Sequence, residues 1–173
     1  WKDVTICDFN NDNVYEACVR GGNALNYFCG LLTIKNGEVK RVWFKEGMTI
    51  NSYQGSIFIE HDTAKDGFVV AIYTESSPGG YIYNNEKELY SFDGLHVSLE
   101  AKLGKHTIPL RNGRYEIEED VETAKMNNEF YVEDENGLTY YEINNSNVKK
   151  SEYDDVYNRF IFWKFNLADS IDL

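Results

Sequence analysis

The sequence predicts a mostly β fold: an antiparallel meander of hairpins with one C-terminal amphipathic helix, arranged as a sandwich, a barrel or a partial propeller. Three observations predict it. Turn signals recur every ten to twenty residues between short apolar runs, and 13 Tyr and 10 Phe suit pleated surfaces. A long helical period is found only after residue 150. We expect one domain over residues 1–173, with the β region at about 3–145, since 173 residues of which 42% are hydrophobic can bury a core.

The hairpins are indicated by turn residues between apolar runs. Asn36-Gly37 separates runs 27–34 and 39–44, and both turn residues tolerate positive φ. Segment 76–80 is the loosest stretch of the chain and predicts a loop. Four further turn signals follow the same pattern: Asp66-Gly67, Asp93-Gly94, Asn112-Gly113 and Asn136-Gly137.

The C-terminal end has a helical pattern. Ser151 followed three places later by Asp154 predicts a capped N-terminus, and the helix is expected over about 152–165, before a tail at 166–173. One apolar face follows from the 3.6-residue spacing of Tyr153, Val156, Tyr157, Phe160 and Ile161.

Charge narrows the classes of partner. The formal net charge of −12 argues against duplex nucleic acid, which requires a basic surface. No run of about 18 apolar residues is present, so we expect no membrane-spanning helix. An acidic surface suits solubility, cation binding or an extracellular setting and does not select among them. The start at Trp1 without Met suggests a mature or trimmed form.

An acidic stretch between the first two predicted strands is the candidate metal site. Calcium prefers oxygen ligands at alternate places of a tight loop, and the predicted ligands are Asp8, Asn10, Asp12, the carbonyl of Val14 and Glu16. The sixth place needs a near left-handed backbone, which Asn13 tolerates. A metal-free turn held by Asx side-chain hydrogen bonds is the alternative interpretation.

The loop resembles the β-hairpin calcium loops of FG-GAP repeats, whose pattern is Asp-x-Asn/Asp-x-Asp-Gly-x-x-Asp/Glu. Asn13 departs from the usual Gly, which affects the expected affinity. A helix-loop-helix calcium site is excluded because its twelfth place would be Val19.

A wider resemblance covers segments 8–16, 35–41, 79–83 and 140–157. In these segments the chain is similar to a group of uncharacterised secreted or lipid-anchored β proteins of Firmicutes. This resemblance implies an extracellular or cell-envelope setting and no known activity.

Cys7, Cys18 and Cys29 are odd in number and form no Cys-x-x-Cys pair, which argues against zinc. A cross-strand disulfide between Cys7 and Cys18 and three buried free thiols are both compatible with their positions.

Catalysis has no recognisable signature. His61, His96 and His106 are each alone in their segments, and the acidic residues are too abundant for spacing to select a catalytic pair. We therefore predict a non-catalytic interaction or adhesion module that binds a protein or glycan at the cell surface, with a hydrolase as a third choice.

A carbohydrate-binding module is the alternative. Sugar rings stack on exposed aromatic side chains, and the aromatic residues considered are Trp43, Tyr53, Tyr81 and Tyr83. The competing interpretation is that these rings belong to the core or to cross-strand pairs.

Overall fold

A computed structural model describes residues 2–22, 26–48, 54–77 and 81–162. Two helices lie within these ranges, α1 (Glu118–Asn127) and α2 (Lys150–Arg159). The strands are β1 (Lys2–Cys7), β2 (Glu16–Gly22), β3 (Asn26–Lys35), β4 (Glu38–Met48), β5 (Gln54–Asp62), β6 (Gly67–Ser76), β7 (Tyr83–Phe92), β8 (Val97–Arg111), β9 (Arg114–Tyr115), β10 (Tyr131–Asp134), β11 (Gly137–Ile143), β12 (Ser146–Val148) and β13 (Phe160–Phe162).

The strands form two antiparallel sheets. The first sheet has the order β1-β2-β3-β4, a plain meander. The second sheet has the order β10-β11-β8-β7-β6-β5-β13, and β12 and β9 pair with β11 and β8 at its margin. Every pairing within the described ranges is antiparallel, which confirms the predicted meander of hairpins.

The two sheets pack face to face as a sandwich. Phe9 and Leu31 of the first-sheet side are buried against Ile57, Ile72 and Phe92 of the second sheet. Arg20 crosses between the layers, because its guanidinium donates to the carbonyl of Ile57 (3.1 Å). The described ranges contain no helix that is both long and apolar enough to cross a bilayer.

Helix α2 covers the other face of the second sheet. Tyr153 and Val156 pack against Val69, Leu89 and Tyr141. The protein therefore has three layers, in the order first sheet, second sheet, α2.

The predicted helix at 152–165 is correct in place and wrong in extent. It begins at Lys150 and ends at Arg159, and residues 160–162 form β13 against β5. The N-cap is Lys149 rather than Ser151, because the Glu152 carboxylate accepts from the Lys149 N–H (3.0 Å). The helix ends where the Arg159 guanidinium pairs with Asp62 and the chain can hydrogen-bond to the sheet edge. Residues 163–165 and the tail at 166–173 lie outside the described residues.

Helix α1 was not predicted. The alternation over residues 115–118 suggests a strand, but the strand ends at Tyr115 and a helix begins at Glu118. Only Val121 and Ala124 of α1 are buried, so the sequence carries too few apolar residues for a helical period. Acidic residues in its first turn suit the positive end of the helix dipole.

The predicted turns are confirmed where the structure describes them. Asn36 and Asn112 have φ of 55° and 53°, and the following Gly37 and Gly113 also have positive φ. These left-handed conformations are the reason that Asn-Gly recurs between strands. Residues 78–80 of the predicted loop at 76–80 lie outside the described residues.

Candidate functional site

The acidic loop between β1 and β2 is held by side-chain to backbone hydrogen bonds. The Asp8 carboxylate accepts from the N–H groups of Asp12 (3.1 Å) and Asn13 (2.7 Å). The Asp12 carboxylate accepts from the Val14 N–H (2.8 Å) and from the Asn10 amide (2.9 Å). Asn13 has a φ of 66°, as its place in the loop predicts. These are the hydrogen bonds of an Asx-rich turn.

Glu16 turns away from the loop and into the core. Its carboxylate accepts from the Phe9 N–H (3.1 Å) and from the Thr33 hydroxyl (3.0 Å), and the residue is 1% exposed. Burial raises the pKa of Glu16, and the two hydrogen bonds oppose that rise. In this arrangement Glu16 anchors the hairpin to the sandwich.

The loop also clamps the two sheets together at one end. The Phe9 carbonyl accepts from the Phe68 N–H of β6 (3.0 Å), and the two rings meet edge to face. On the β7–β8 turn, a Cβ at Gly94 would lie 2.8 Å from the Asn10 amide nitrogen. The loop therefore docks on the second sheet, a tertiary role that the spacing of acids did not indicate.

The fit of calcium to these residues is incomplete. Within the described ranges, no group of three or more His, Cys, Asp or Glu side chains is placed to hold a metal ion. Glu16 faces the core, where its carboxylate already accepts two hydrogen bonds. By contrast, the buried side-chain oxygen of Asn10 has no hydrogen-bond partner in the described part of the chain. That oxygen is the one observation that suits a cation, and calcium binding stays a prediction.

A thermal melt tests the calcium prediction directly. Millimolar calcium is expected to raise the unfolding midpoint of the wild-type protein, and excess chelator is expected to restore it, because an ion bound only to the folded state adds its binding free energy. Asp8→Ala is expected to abolish the calcium response. In chelator, the same variant should lose about 1–2 kcal/mol from its two missing hydrogen bonds.

Equal midpoints with calcium and with chelator in the wild-type protein would contradict calcium binding and leave the Asx turn. Glu119→Ala, at an exposed position of α1, is the control for loss of one carboxylate.

The three cysteines are buried and free in the structure. Cys18 and Cys29 lie on neighbouring strands with their sulfur atoms 3.5 Å apart. The contact with Cys18 and burial raise the pKa of Cys29, and burial raises the pKa of Cys7. A raised pKa disfavours the nucleophilic thiolate, so these side chains act as small core residues.

The outer face of the first sheet is an apolar surface that the described residues leave uncovered. We use "outer face" for the side of β1–β4 turned away from the second sheet. Its exposed apolar side chains are between 46% and 69% exposed and comprise Val4, Ile6, Ile34, Val39 and Phe44. The strand register places the half-buried Ala17, Val19, Phe28 and Leu32 among them.

This face exists because the first sheet is apolar on both sides. Along β1, Thr5 and Cys7 point to the sandwich core, so that Val4 and Ile6 must point outward. On the neighbouring strands β3 and β4, the Phe28 and Phe44 rings stack with centroids 6.4 Å apart. A contiguous apolar sheet face of this kind marks an interaction site more often than a solvated surface.

The histidines lie apart from one another and have local partners. His61 lies 2.9 Å from the Asp66 carboxylate in an exposed turn. His106 Nδ1 lies 2.8 Å from the Asn84 side-chain oxygen, and its ring stacks on Tyr140. His96 is exposed beside Asp93. These contacts account for the three rings by packing and hydrogen bonding.

The aromatic residues considered for sugar binding do not share one surface as far as the structure describes them. Trp43 faces the sandwich interior and packs on Tyr90, with centroids 4.9 Å apart. Tyr81 is half-buried, Tyr83 is exposed, and Tyr53 lies outside the described residues.

A hollow of about 500 Å³ lies between β10, β11 and the start of α2. It was not predicted from the sequence. Its lining combines aromatic with charged side chains and includes Phe130, Tyr141, Lys149 and Lys150.

Comparison with protein-family models, with curated proteins and with solved structures finds no match for this chain.

Proposed function

We propose that the chain is a non-catalytic interaction module that binds a protein partner through the outer face of its first sheet. The observation that carries the proposal is the row of exposed branched and aromatic side chains on that face, exemplified by Val4, Ile34 and Phe44. Covering such a row removes apolar surface from water, which stabilises a complex by roughly 25 cal/mol per Å² before the costs of association. The extracellular or cell-envelope setting remains part of this proposal and rests on the resemblance noted above.

The carbohydrate-binding alternative keeps one supporting observation, the hollow at the start of α2. Its volume of about 500 Å³ lies within the range of small-ligand sites. Phe130 offers a ring for stacking, and Lys149 and Glu129 offer groups that can hydrogen-bond to sugar hydroxyls. Binding on a glycan array that Phe130→Ala abolishes would favour this alternative.

Site-specific photocrosslinking tests the proposed function. The photoreactive residue benzoylphenylalanine replaces Phe44 in one variant and Met126 in a control, because Met126 is exposed on α1, far from the first sheet in sequence. In an extract of the producing cells, we expect a discrete adduct from position 44 and none from position 126. Where the partner is a different protein, a tenfold excess of untagged wild-type protein should remove the adduct. Where the partner is this chain, the same excess should replace the tagged partner in the adduct by the untagged chain. Untagged Val4→Glu/Phe44→Glu protein should do neither.

Equal adducts from both positions, or equal competition by the two untagged proteins, would contradict the proposed surface. The mass of the adduct identifies whether the partner is a different protein or this chain.

A further inference from the structure

We infer that the partner of the outer face is a second copy of this chain, related to the first by a two-fold axis that lies between two facing first sheets. This inference rests on the proposed function and names its partner. It follows from the register of the four strands, from the charges on the face and from the distribution of charge along the chain.

The strand register defines a central row across all four strands. In this row Val4 of β1 pairs with Val19 of β2. Val19 pairs in turn with Gly30 of β3, and Gly30 pairs with Phe44 of β4. An outward row on one side of it contains Ile6, Ala17, Leu32 and Arg41, and the outward row on the other side contains Gly21, Phe28 and Glu46.

A two-fold axis along the central row exchanges the two flanking rows. Leu32 then faces Phe28 of the partner subunit, and Arg41 faces Glu46 of the partner subunit. A two-fold contact always occurs twice, so that two apolar contacts and two ion pairs form together. Because opposite charges meet on both sides of Phe44 along β4, the face is complementary to itself.

The β4 end of the central row is aromatic and closely packed. The Phe44 ring lies above Gly30, where an added Cβ would be 3.5 Å from the ring. The Arg41 guanidinium lies 5.6 Å from the centroid of the same ring. Phe44 therefore lies on the two-fold axis against Phe44 of the partner subunit, at the β4 end of the central row.

The distribution of charge permits two acidic chains to meet at this face. Residues 1–48 contain six basic and six acidic side chains, so the whole net charge of −12 belongs to residues 49–173. Facing sheets pack about 10 Å apart, and each second sheet lies a further layer behind, beyond the Debye length of about 8 Å in physiological salt. The acidic halves are therefore kept apart in the dimer.

The area of the outer face determines how stable the dimer is expected to be. Four strands spaced about 4.8 Å apart and about eight residues long cover roughly 500 Å² per copy. A typical specific interface buries about 800 Å² per partner. We therefore expect a reversible dimer that dissociates on dilution.

Sedimentation velocity of charge-reversal variants tests the dimer. Wild-type protein should shift from monomer to dimer as the concentration rises through the micromolar range. Arg41→Glu and Glu46→Arg should each weaken dimerisation at least tenfold, because each homodimer then places like charges opposite one another. An equimolar mixture of the two variants should dimerise again, since both ion pairs are restored in the heterodimer. Glu75→Arg and Lys105→Glu, which reverse exposed charges on the second sheet, are the matched controls and should dimerise as wild type does.

Wild-type protein that stays monomeric at about 200 µM would overturn the dimer. Single variants that dimerise as wild type does, or a mixture that stays monomeric, would also overturn it. A crosslink from position 44 to a different protein, together with a monomeric wild type, would overturn the dimer and leave the proposed function standing. Absence of any crosslink from position 44 would contradict both.

Discussion

Lys87→Met is expected to lower the free energy of unfolding by about 3–5 kcal/mol, because it leaves a buried carboxylate without its counter-ion. Lys87 Nζ lies 2.6 Å from the Glu60 carboxylate, and the side chains are 3% and 2% exposed. The Tyr73 hydroxyl donates to the same carboxylate, and the Tyr157 ring lies 4.4 Å from Lys87 Nζ. Burial lowers the pKa of Lys87, and the contact with Glu60 opposes that effect.

Urea denaturation measures this loss. The double variant Glu60→Gln/Lys87→Met should recover at least half of it, because the remaining buried group is uncharged and can still accept from Tyr73. Lys65→Met is the control, since the Lys65–Glu100 ion pair has a lysine that is 58% exposed, and it should cost less than about 1 kcal/mol. A loss for Lys87→Met no larger than that of the control would contradict the buried ion pair.

Gly137→Ala is expected to cost about 3–5 kcal/mol from backbone strain and overpacking combined. Gly137 begins β11 with a φ of 132°. A Cβ there would lie 2.1 Å from the Ile108 carbonyl oxygen and 2.9 Å from the Pro109 Cα. Both atoms belong to the backbone of β8, so β11 would have to separate from the centre of the second sheet.

The control for this variant is Gly113→Ala. Gly113 also has a positive φ, of 75°, but its added Cβ would have no heavy atom within 4 Å. The expected cost is about 1 kcal/mol, from backbone conformation alone. Similar unfolding midpoints for the two variants would show that the contact with Ile108 is unimportant. Where Gly137→Ala yields too little folded protein for a urea titration, the yield of folded protein relative to that of Gly113→Ala answers the same question.

The hairpins could be predicted from the sequence because their signals are local. Asn36-Gly37 and Asn112-Gly113 adopt left-handed conformations that few other residues tolerate, and that preference needs no tertiary contact. The acidic loop was likewise recognised as a tight turn, and Asn13 has the predicted positive φ. In each case, adjacent residues alone indicate the left-handed backbone conformation that the turn requires.

The end of α2 could not be predicted because a long-range contact decides it, and α1 could not be predicted because too few of its residues are apolar to give a helical period. Apolar periodicity continues past Arg159, but Phe160 pairs with Asp62 of β5 and the chain becomes a strand. The placement of Glu16 is also a tertiary effect. Its spacing from Asp8 suggests a shared metal, whereas Thr33 on β3 draws its carboxylate into the core.

The outer face shows most clearly what the local sequence determines and what only tertiary packing determines. Alternation along β1 assigns Val4 and Ile6 to one side and Thr5 and Cys7 to the other, so local sequence suffices to sort the residues between two faces. Since both sides are apolar in the first sheet, alternation cannot choose which one is buried. Packing of the second sheet makes that choice, because only a surface brought from distant parts of the chain can exclude water from one side and leave the other open to a partner.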